Sequence, residues 1–353
     1  MRRKSPGRTH PEGAIATEGS ARVLITLGDP AGIGPEVVLK SLIALRRSGH
    51  PELSRRMTVI GDRSFLQGLA QRLKLRVPWS QFDWIDLPNA GSIRPGHPGI
   101  ESGRAAFSYI EEAIRRLKKG QGDALVTAPV SKETIAGAGV PWRGHTEHLA
   151  DAFRCRTTMM FVTGRFRVSL VTTHCAIRDL PARLRRGEVA RVIEATRRAM
   201  SRDFGIRRPR IGLAALNPHG GEGGMFGGEE KSILLPAVRA STRSARTVRR
   251  RSAHPELVEG WRIDGPLPSD SLMQAAARGE YDAVVALYHD QALIPVKLIG
   301  WHQAVNVTLG LPFARTSPVH GTAFDIAGKG KADPSSMRAA IDLAVQWARR
   351  RAH

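Results

Sequence analysis

The stretch RVLITLGDPAGIGPEVVLKSLIALRR, residues 22–47, decides the fold class of this sequence. Its first six residues, 22–27, are mostly apolar and predict a buried strand. A loop of glycine and proline follows, and an apolar pattern of helical period then runs from Pro35 to about Arg47. Proline suits the first helical turn because a backbone N–H there has no acceptor within the helix, so the lack of one costs no hydrogen bond. A strand joined by a short loop to a helix is typical of an α/β protein.

The same alternation continues along the chain. Helices are predicted over residues 103–119 and 186–203 and from about Pro334 onward. Further strands are predicted over residues 57–60, 82–87, 124–127, 158–162, 168–172, 210–216, 283–287 and 304–308. Strands separated by helices predict a parallel or mixed sheet covered by helices. Because one sheet seldom contains so many strands, we expect two α/β domains.

The chain is strongly basic. Its 353 residues include 54 Lys and Arg against 32 Asp and Glu, a formal net charge of +22. Such a charge attracts phosphate, but aromatic residues make up only 5% of the chain and offer few platforms for base stacking. We therefore expect a small phosphorylated substrate and no nucleic-acid partner.

Composition also excludes several protein classes. Two cysteines, Cys155 and Cys175, are too few for a disulfide scaffold or a four-cysteine zinc module. No run approaches the roughly 18 apolar residues that a membrane-spanning helix needs. The first 20 residues contain no apolar segment of the kind found in secretory signals. A cytoplasmic protein without a membrane partner is expected.

Two segments depart from the alternating pattern. Residues 1–20 are basic and polar, and we expect a disordered tail there. Residues 240–262, ASTRSARTVRRRSAHPELVEGWR, are rich in arginine and have no period, which predicts a surface insertion.

Three histidines each follow an apolar run that predicts a strand. They are His174 in VSLVTTH, His219 in LNPH and His289 in DAVVALYH. The carboxyl ends of strands line the ligand crevice of an open α/β sheet, so the three imidazoles can share one site. Three neutral imidazoles can hold a divalent metal that still has room for a substrate. Asp290 adds a carboxylate that is either a further ligand or a group that orients His289.

The glycine-rich loops match no standard nucleotide motif. GDPAGIGPE at 28–36 lacks the full G-x-G-x-x-G spacing, and the chain contains no G-x-x-x-x-G-K-[ST]. HGGEGG at 219–224 has a backbone that a ligand can approach closely. HGTAFDIAGKGKAD at 320–333 either wraps a nucleotide or forms a tight connection to the last helix.

Nine motifs, taken together and in order, closely resemble the 4-hydroxythreonine-4-phosphate dehydrogenase family of pyridoxine phosphate biosynthesis. They are GDPAGIGPE, VTAPVSK, GHTEHL, TTHCAIRDL, LNPHGGEGG, GPLPSD, YHDQALIPVK, VNVTLGLPFARTS and HGTAFDIAGKGKAD. The resemblance runs from about residue 22 to 350 and leaves out only the tail and the insertion. The loop at 320–333 is also similar to the adenosine-binding loop of isocitrate and isopropylmalate dehydrogenases.

The resemblance implies a fold like that of those two dehydrogenases, with two α/β domains around a central cleft. Residues 21–135 together with 300–353 would form a discontinuous nucleotide-binding domain. Residues 136–299 would form the domain that binds metal and substrate and makes the dimer. The family is dimeric and draws metal ligands from both subunits, so a homodimer with sites at the subunit interface is implied.

The resemblance also implies roles for individual residues. The metal ligands fall on the same three histidines that the strand-end argument selects, His174, His219 and His289. Substrate contacts fall on His145, Thr146, Lys297, Asn306 and Arg315. Lys297 and Asp290 are candidate catalytic residues. Gly321 and Asp325 are candidate cofactor contacts.

The implied activity is oxidation of 4-phosphooxy-L-threonine by NAD or NADP, with one divalent ion (zinc, magnesium or cobalt). The product, 2-amino-3-oxo-4-phosphooxybutanoate, is a β-keto acid that decarboxylates to 3-amino-2-oxopropyl phosphate. Relatives that act on 4-phospho-erythronate or 4-phospho-threonate are an alternative, because no residue separates an amine from a hydroxyl substrate. The metal site alone would also suit a three-histidine zinc hydrolase, but the H-E-x-x-H motif that would supply its base is absent.

Overall fold

The strands form one sheet. The structure is a computed structural model that describes residues 21–47, 56–241 and 260–352. Its strands are β1 (Val23–Thr26), β2 (Met57–Gly61), β3 (Asp83–Asp86), β4 (Ala124–Thr127), β5 (Thr158–Thr163), β6 (Phe166–Leu170), β7 (Arg210–Ala214), β8 (Arg262–Leu267), β9 (Ala283–Ala286), β10 (Val305–Leu309) and β11 (Ala314–Pro318). Their order in the sheet is β3-β2-β1-β4-β11-β10-β5-β6-β9-β7-β8.

Helices cover both faces of this sheet. They are α1 (Gly34–Arg47), α2 (Arg63–Arg72), α3 (Ile100–Lys118), α4 (Lys132–Gly137), α5 (His145–Ala152), α6 (Leu180–Arg183), α7 (Arg186–Arg202), α8 (residues 229–241), α9 (Ser269–Ala277), α10 (His289–Gly300) and α11 (Ser335–Ala352). The α/β architecture predicted from the sequence is confirmed.

The sheet consists of two parallel blocks of opposite direction. In the first block β3, β2, β1, β4 and β11 run parallel, and in the second block β6, β9, β7 and β8 do. Three antiparallel pairings connect the blocks, β11 with β10, β10 with β5, and β5 with β6. An odd number of reversals leaves the two blocks antiparallel to each other. Because β6, β9 and β7 are parallel neighbours, their carboxyl ends lie at the same edge of the sheet.

The opening strand and its loop are tightly packed. All four residues of β1 are buried, between parallel strands β2 and β4. Gly28, just after β1, has a φ of +71°, and a Cβ there would lie 2.2 Å from the carbonyl oxygen of Pro129. Only glycine permits this approach, which brings the loop after β1 against the loop after β4.

The structure extends or corrects the sequence predictions at three points. All of the predicted strands are present, but β8 and β11 were not predicted. The predicted insertion at 240–262 is too long at both ends, because α8 continues to residue 241 and β8 begins at Arg262. Its remainder, 242–259, and the predicted tail at 1–20 lie outside the described residues. One sheet contains all eleven strands, so the number of strands was not a sound argument for two domains. The domain boundaries stay a prediction.

Within the described ranges, no helix has the combined length and apolar character that a membrane crossing requires.

Candidate active site

A cleft of about 400 Å³ collects most of the predicted site residues. Its walls come from the ends of β4 and β11, from β5 and β10, from α5 and α10, and from the loop after β6. Eight of the predicted residues line it, namely His145, Thr146, His174, His289, Lys297, Asn306, Arg315 and Gly321. Three predicted residues do not, namely His219, Asp290 and Asp325.

Arg315 is a buried cation that forms no ion pair with any described residue. It lies on β11 with 2% of its surface exposed. Its Nη1 donates to the hydroxyl of Thr308 at 2.9 Å, and its Nη2 donates to the hydroxyl of Thr127 at 2.7 Å. Burial lowers the pKa of Arg315 to about 10, while the charge of Glu147 raises it, so the side chain is still a cation at neutral pH. A buried guanidinium held only by two hydroxyls has capacity left for an anion.

His145 begins α5 beside this cation. Burial is the main reason why its pKa lies well below 6.5, and the charges of Arg315 and His148 lower it further. The ring is therefore neutral at pH 7, with one nitrogen able to accept a hydrogen bond and the other able to donate one. The ring of Trp142 meets it edge to face, with 5.4 Å between the centroids.

Unpartnered polar atoms concentrate in this cleft. Among the described residues, eleven buried side-chain nitrogen or oxygen atoms lack a hydrogen-bond partner, and five of them belong to residues that line it. These are Trp142 Nε1, His145 Nε2, Asn306 Oδ1, Arg315 Nε and His320 Nε2. Buried polar groups without partners are uncommon in folded proteins, so this wall is built to receive a polar ligand.

Two of the predicted metal ligands are neighbours. The rings of His174 and His289 lie 5.6 Å apart between centroids, at the ends of the adjacent parallel strands β6 and β9. The Nδ1 atom of His289 is 2.7 Å from a carboxylate oxygen of Asp290. That contact leaves Nε2 of His289 available to a metal. Asp290 does not line the cleft, but the contact of its carboxylate with Nδ1 can orient the His289 ring.

His219 is not brought to this pair. It lies in the loop after β7, where six consecutive residues from His219 to Gly224 have positive φ angles. Glu230 holds this loop by accepting hydrogen bonds from the backbone N–H groups of Leu216 and Asn217, each at 2.9 Å. The described part of the chain contains no group of three His, Cys, Asp or Glu side chains that could hold a metal ion.

The remaining predicted residues differ in position. Lys297 on α10 is exposed, and its Nζ lies 4.7 Å from the centroid of the Trp301 ring, a cation–π contact. The hydroxyls of Thr146 and Thr308 are 3.5 Å apart. Gly321 lies in the cleft wall, whereas Asp325 is exposed beyond it.

Sequence reasoning missed three polar residues of the cleft wall. Lys132 and Glu147 line it, and both charges act on His174, whose pKa is lowered first by burial. His320 also lines it, and burial lowers the pKa of its ring. All three lie in motifs identified above, VTAPVSK, GHTEHL and HGTAFDIAGKGKAD, so the signal was present but was not assigned to side chains.

Comparison with known proteins shows the family of the chain. The sequence profile of the family described as pyridoxal phosphate biosynthetic protein PdxA matches residues 52–344. The chain belongs to the PdxA family. A 4-hydroxythreonine-4-phosphate dehydrogenase of Geobacter metallireducens is 41% identical, and the alignment covers 93% of this chain and 96% of the relative.

Two further members of the PdxA family are informative. A protein of Bradyrhizobium diazoefficiens, provisionally named D-threonate 4-phosphate dehydrogenase, is 38% identical over 93% of this chain and 97% of its own. The crystal structure of 4-hydroxythreonine-4-phosphate dehydrogenase from Klebsiella pneumoniae superposes with a TM-score of 0.78 and 36% identity, covering 93% of this chain and all of that one.

Proposed function

We propose that this protein is a dehydrogenase that oxidises 4-hydroxythreonine 4-phosphate with NAD or NADP and one divalent metal ion. The observation that supports this most directly is the pairing, in one cleft, of an unpaired buried guanidinium at Arg315 with the imidazoles of His174 and His289. Such a cleft offers an anion site and a metal site to one small phosphorylated substrate.

The substrate is held by groups of this chain. Arg315 binds the phosphate or the carboxylate, since its Nε and its positive charge are unsatisfied by the protein. Lys297 offers a second cation at the edge of the cleft. His145 and Asn306 supply hydrogen bonds from atoms that are buried and unpartnered without a ligand. The substrate that satisfies them all is polar along its whole length.

The imidazole pair fits a divalent ion in part. His174 and His289 supply two nitrogen ligands, and Asp290 orients one of them. Three ligands are the usual minimum for a catalytic site, and His219 of the same chain does not reach the pair. His219 of a second copy is therefore the third ligand in this proposal.

When bound, a divalent ion would act as a Lewis acid on the substrate hydroxyl, the nicotinamide would accept a hydride from the carbon that bears this hydroxyl, and the hydroxyl proton would pass to a base. Burial keeps the pKa of His174 low, which leaves its ring neutral and able to bind a cation. Lys297 stays a candidate acid or base, and Asp290 acts as an orienting group rather than as a catalytic one.

The distribution of exposed apolar side chains supports a homodimer that shares its sites. Seven of the eight large exposed ones in the described ranges follow one of the three histidines closely in sequence. They are Ile177 after His174, Met225 and Phe226 after His219, and Ile294, Leu298, Ile299 and Trp301 after His289. Leu298 is the most exposed of them, with 83% of its surface accessible. Apolar side chains grouped around a polar site are typical of a surface that a second subunit covers.

Turnover and subunit mixing test the proposal together. The protein should reduce NAD or NADP with 4-hydroxythreonine 4-phosphate, and chelation of divalent ions should stop it. His219→Ala and His289→Ala should each be inactive alone. Because a mixed dimer would contain one site with neither substitution, mixing them after dissociation should restore up to about a quarter of the activity. No restored activity in verified mixed dimers would show that the two histidines act within one chain.

The related sugar acid remains a second candidate substrate, since the Bradyrhizobium relative bears the name D-threonate 4-phosphate dehydrogenase. The two substrates differ by an amine in place of a hydroxyl. The ratio of kcat/KM for the two, measured under one set of conditions, decides between them.

A further inference from the structure

A buried carboxylate outside the cleft holds the loop at 320–333. Glu36, on the first turns of α1, is fully buried. One of its oxygens accepts a hydrogen bond from the backbone N–H of Ala332 at 2.9 Å, and the other accepts from Gly330 N–H at 3.2 Å. It does not line the cleft and has no part in the substrate or metal contacts proposed above.

Lys40, one turn further along α1, completes this arrangement. Its Nζ donates to Glu36 at 2.8 Å, to the carbonyl of Gly330 at 2.9 Å and to that of Ala332 at 2.7 Å. The pair therefore binds both the donors and the acceptors of the same backbone segment. We call Glu36 and Lys40 the α1 clamp.

The loop is attached to the start of α1 at a second point. The N–H of Ile33 donates to the carbonyl of Thr322 at 2.8 Å. Between this point and the α1 clamp the loop has a single short helical turn, Phe324–Ile326, and Ala323 has a φ of +39°. A segment with so little regular structure obtains its shape from its attachments, because fixing each residue costs conformational entropy.

We infer that Glu36 and Lys40 are positioning residues for dinucleotide binding, acting through the loop at 320–333. The inference rests on the proposed function and on the sequence-based expectation that this loop contacts NAD or NADP through Gly321 and Asp325. With the α1 clamp intact, the loop is ordered before the cofactor arrives. Without it, binding must supply the ordering, and the affinity for the dinucleotide falls. Affinity for the phosphorylated substrate, which binds Arg315, should not depend on the α1 clamp, because neither Glu36 nor Lys40 lines the cleft.

The substitution Glu36→Gln tests this with almost no change in size. An amide has one acceptor oxygen and an NH₂ group, so it cannot accept from Gly330, Ala332 and Lys40 together. We expect the Kd for NAD or NADP, measured by calorimetry, to rise about tenfold, which corresponds to ~1.4 kcal/mol. The Kd for the substrate should stay within about twofold, and amide hydrogen exchange over 328–333 should accelerate.

Asp203→Asn is the matched control. Asp203 is equally buried and accepts hydrogen bonds from Arg202 and Arg351, at the opposite end of α11 from the loop. The substitution should lower the melting temperature, and it should not weaken the binding of the dinucleotide more than that of the substrate. Lys40→Met serves as a second test variant if Glu36→Gln does not fold.

The outcomes separate two failures. If the unsubstituted protein binds neither NAD nor NADP, the proposed function fails, and the inference fails with it. If the unsubstituted protein binds a dinucleotide but Glu36→Gln weakens both affinities equally, or neither, the α1 clamp is merely structural. The same cofactor-specific loss in Asp203→Asn would also overturn the inference.

Discussion

Replacing Arg315 with methionine should weaken substrate binding by a large factor and change stability much less. The side chain has 2% of its surface exposed and is held by the hydroxyls of Thr127 and Thr308. Losing these two hydrogen bonds to a charged group costs about 1.5–3 kcal/mol each. Removing the buried charge recovers a desolvation penalty of several kcal/mol, and an apolar side chain of similar length fills the space. The two effects nearly cancel, so we expect the free energy of unfolding to change by less than about 2 kcal/mol.

Substrate binding has no such compensation. Removing one partner of a buried, hydrogen-bonded charge pair costs about 2–5 kcal/mol of binding free energy. At about 1.4 kcal/mol for each factor of ten, the Kd should rise roughly thirtyfold to several thousandfold. Calorimetric titration with 4-hydroxythreonine 4-phosphate measures the Kd, and urea unfolding of the same samples measures stability.

Arg351→Met is the control for this substitution. Arg351 is also largely buried, but it forms an ion pair with the buried Asp203 at 2.8 Å. Breaking a buried pair costs up to about 3–5 kcal/mol, and less where Arg202 still contacts Asp203, so this variant should lose stability and keep its substrate affinity. Arg315→Met with native affinity and a large loss of stability would refute the reasoning, because Arg315 would then be a structural cation.

Three further predictions concern histidines and the apolar surface. Burial, together with the charges of Arg315 and His148, lowers the pKa of His145, so the unfolded chain binds more protons. His145 alone should therefore contribute a decline in stability below pH 6.5 of at most about 1.4 kcal/mol per pH unit, and His145→Gln should remove this contribution in urea unfolding; identical slopes would contradict it. Leu298→Glu should convert a dimer to an inactive monomer in light scattering, and a stable active dimer would remove α10 from the interface. His289→Ala should lose bound metal while its melting temperature stays within a few degrees, and full metal content would exclude His289 as a ligand.

The sequence predicts strands well where both faces are buried by apolar side chains. β1 and β9 are short apolar runs, VLIT and AVVA, and both are fully buried. β11, ARTSP, is equally buried but polar, so no hydrophobic pattern identifies it. Its Arg315 is stabilised by a hydroxyl 188 positions away at Thr127. Such a contact exists only once the sheet has formed, and composition cannot reveal it.

The candidate site was likewise predictable where it depends on strand ends and not where it depends on long-range contacts. The strand-end argument brings His174 and His289 together because β6 and β9 are adjacent and parallel. It does not succeed for His219, although β7 is the next strand, because six consecutive residues of the loop after β7 have positive φ angles. Strand ends are predictable from apolar runs, whereas the direction of a glycine-rich loop depends on contacts such as those of Glu230.

The position of β11 has a consequence for how the chain folds as it is made. β11 lies between β4 and β10, and Ala314 pairs with Ala124 in the register. The first parallel block is therefore complete only when strands far apart in the sequence have paired. Once β1 to β4 have been synthesised, they can form four neighbouring strands. The edge of β4 stays unpaired until β11, nearly two hundred positions downstream, has also been made. Such long-range pairing slows folding and leaves a strand edge open to wrong partners. The synthesis of β11, rather than that of β1 to β4, is therefore the step at which this half of the sheet becomes complete.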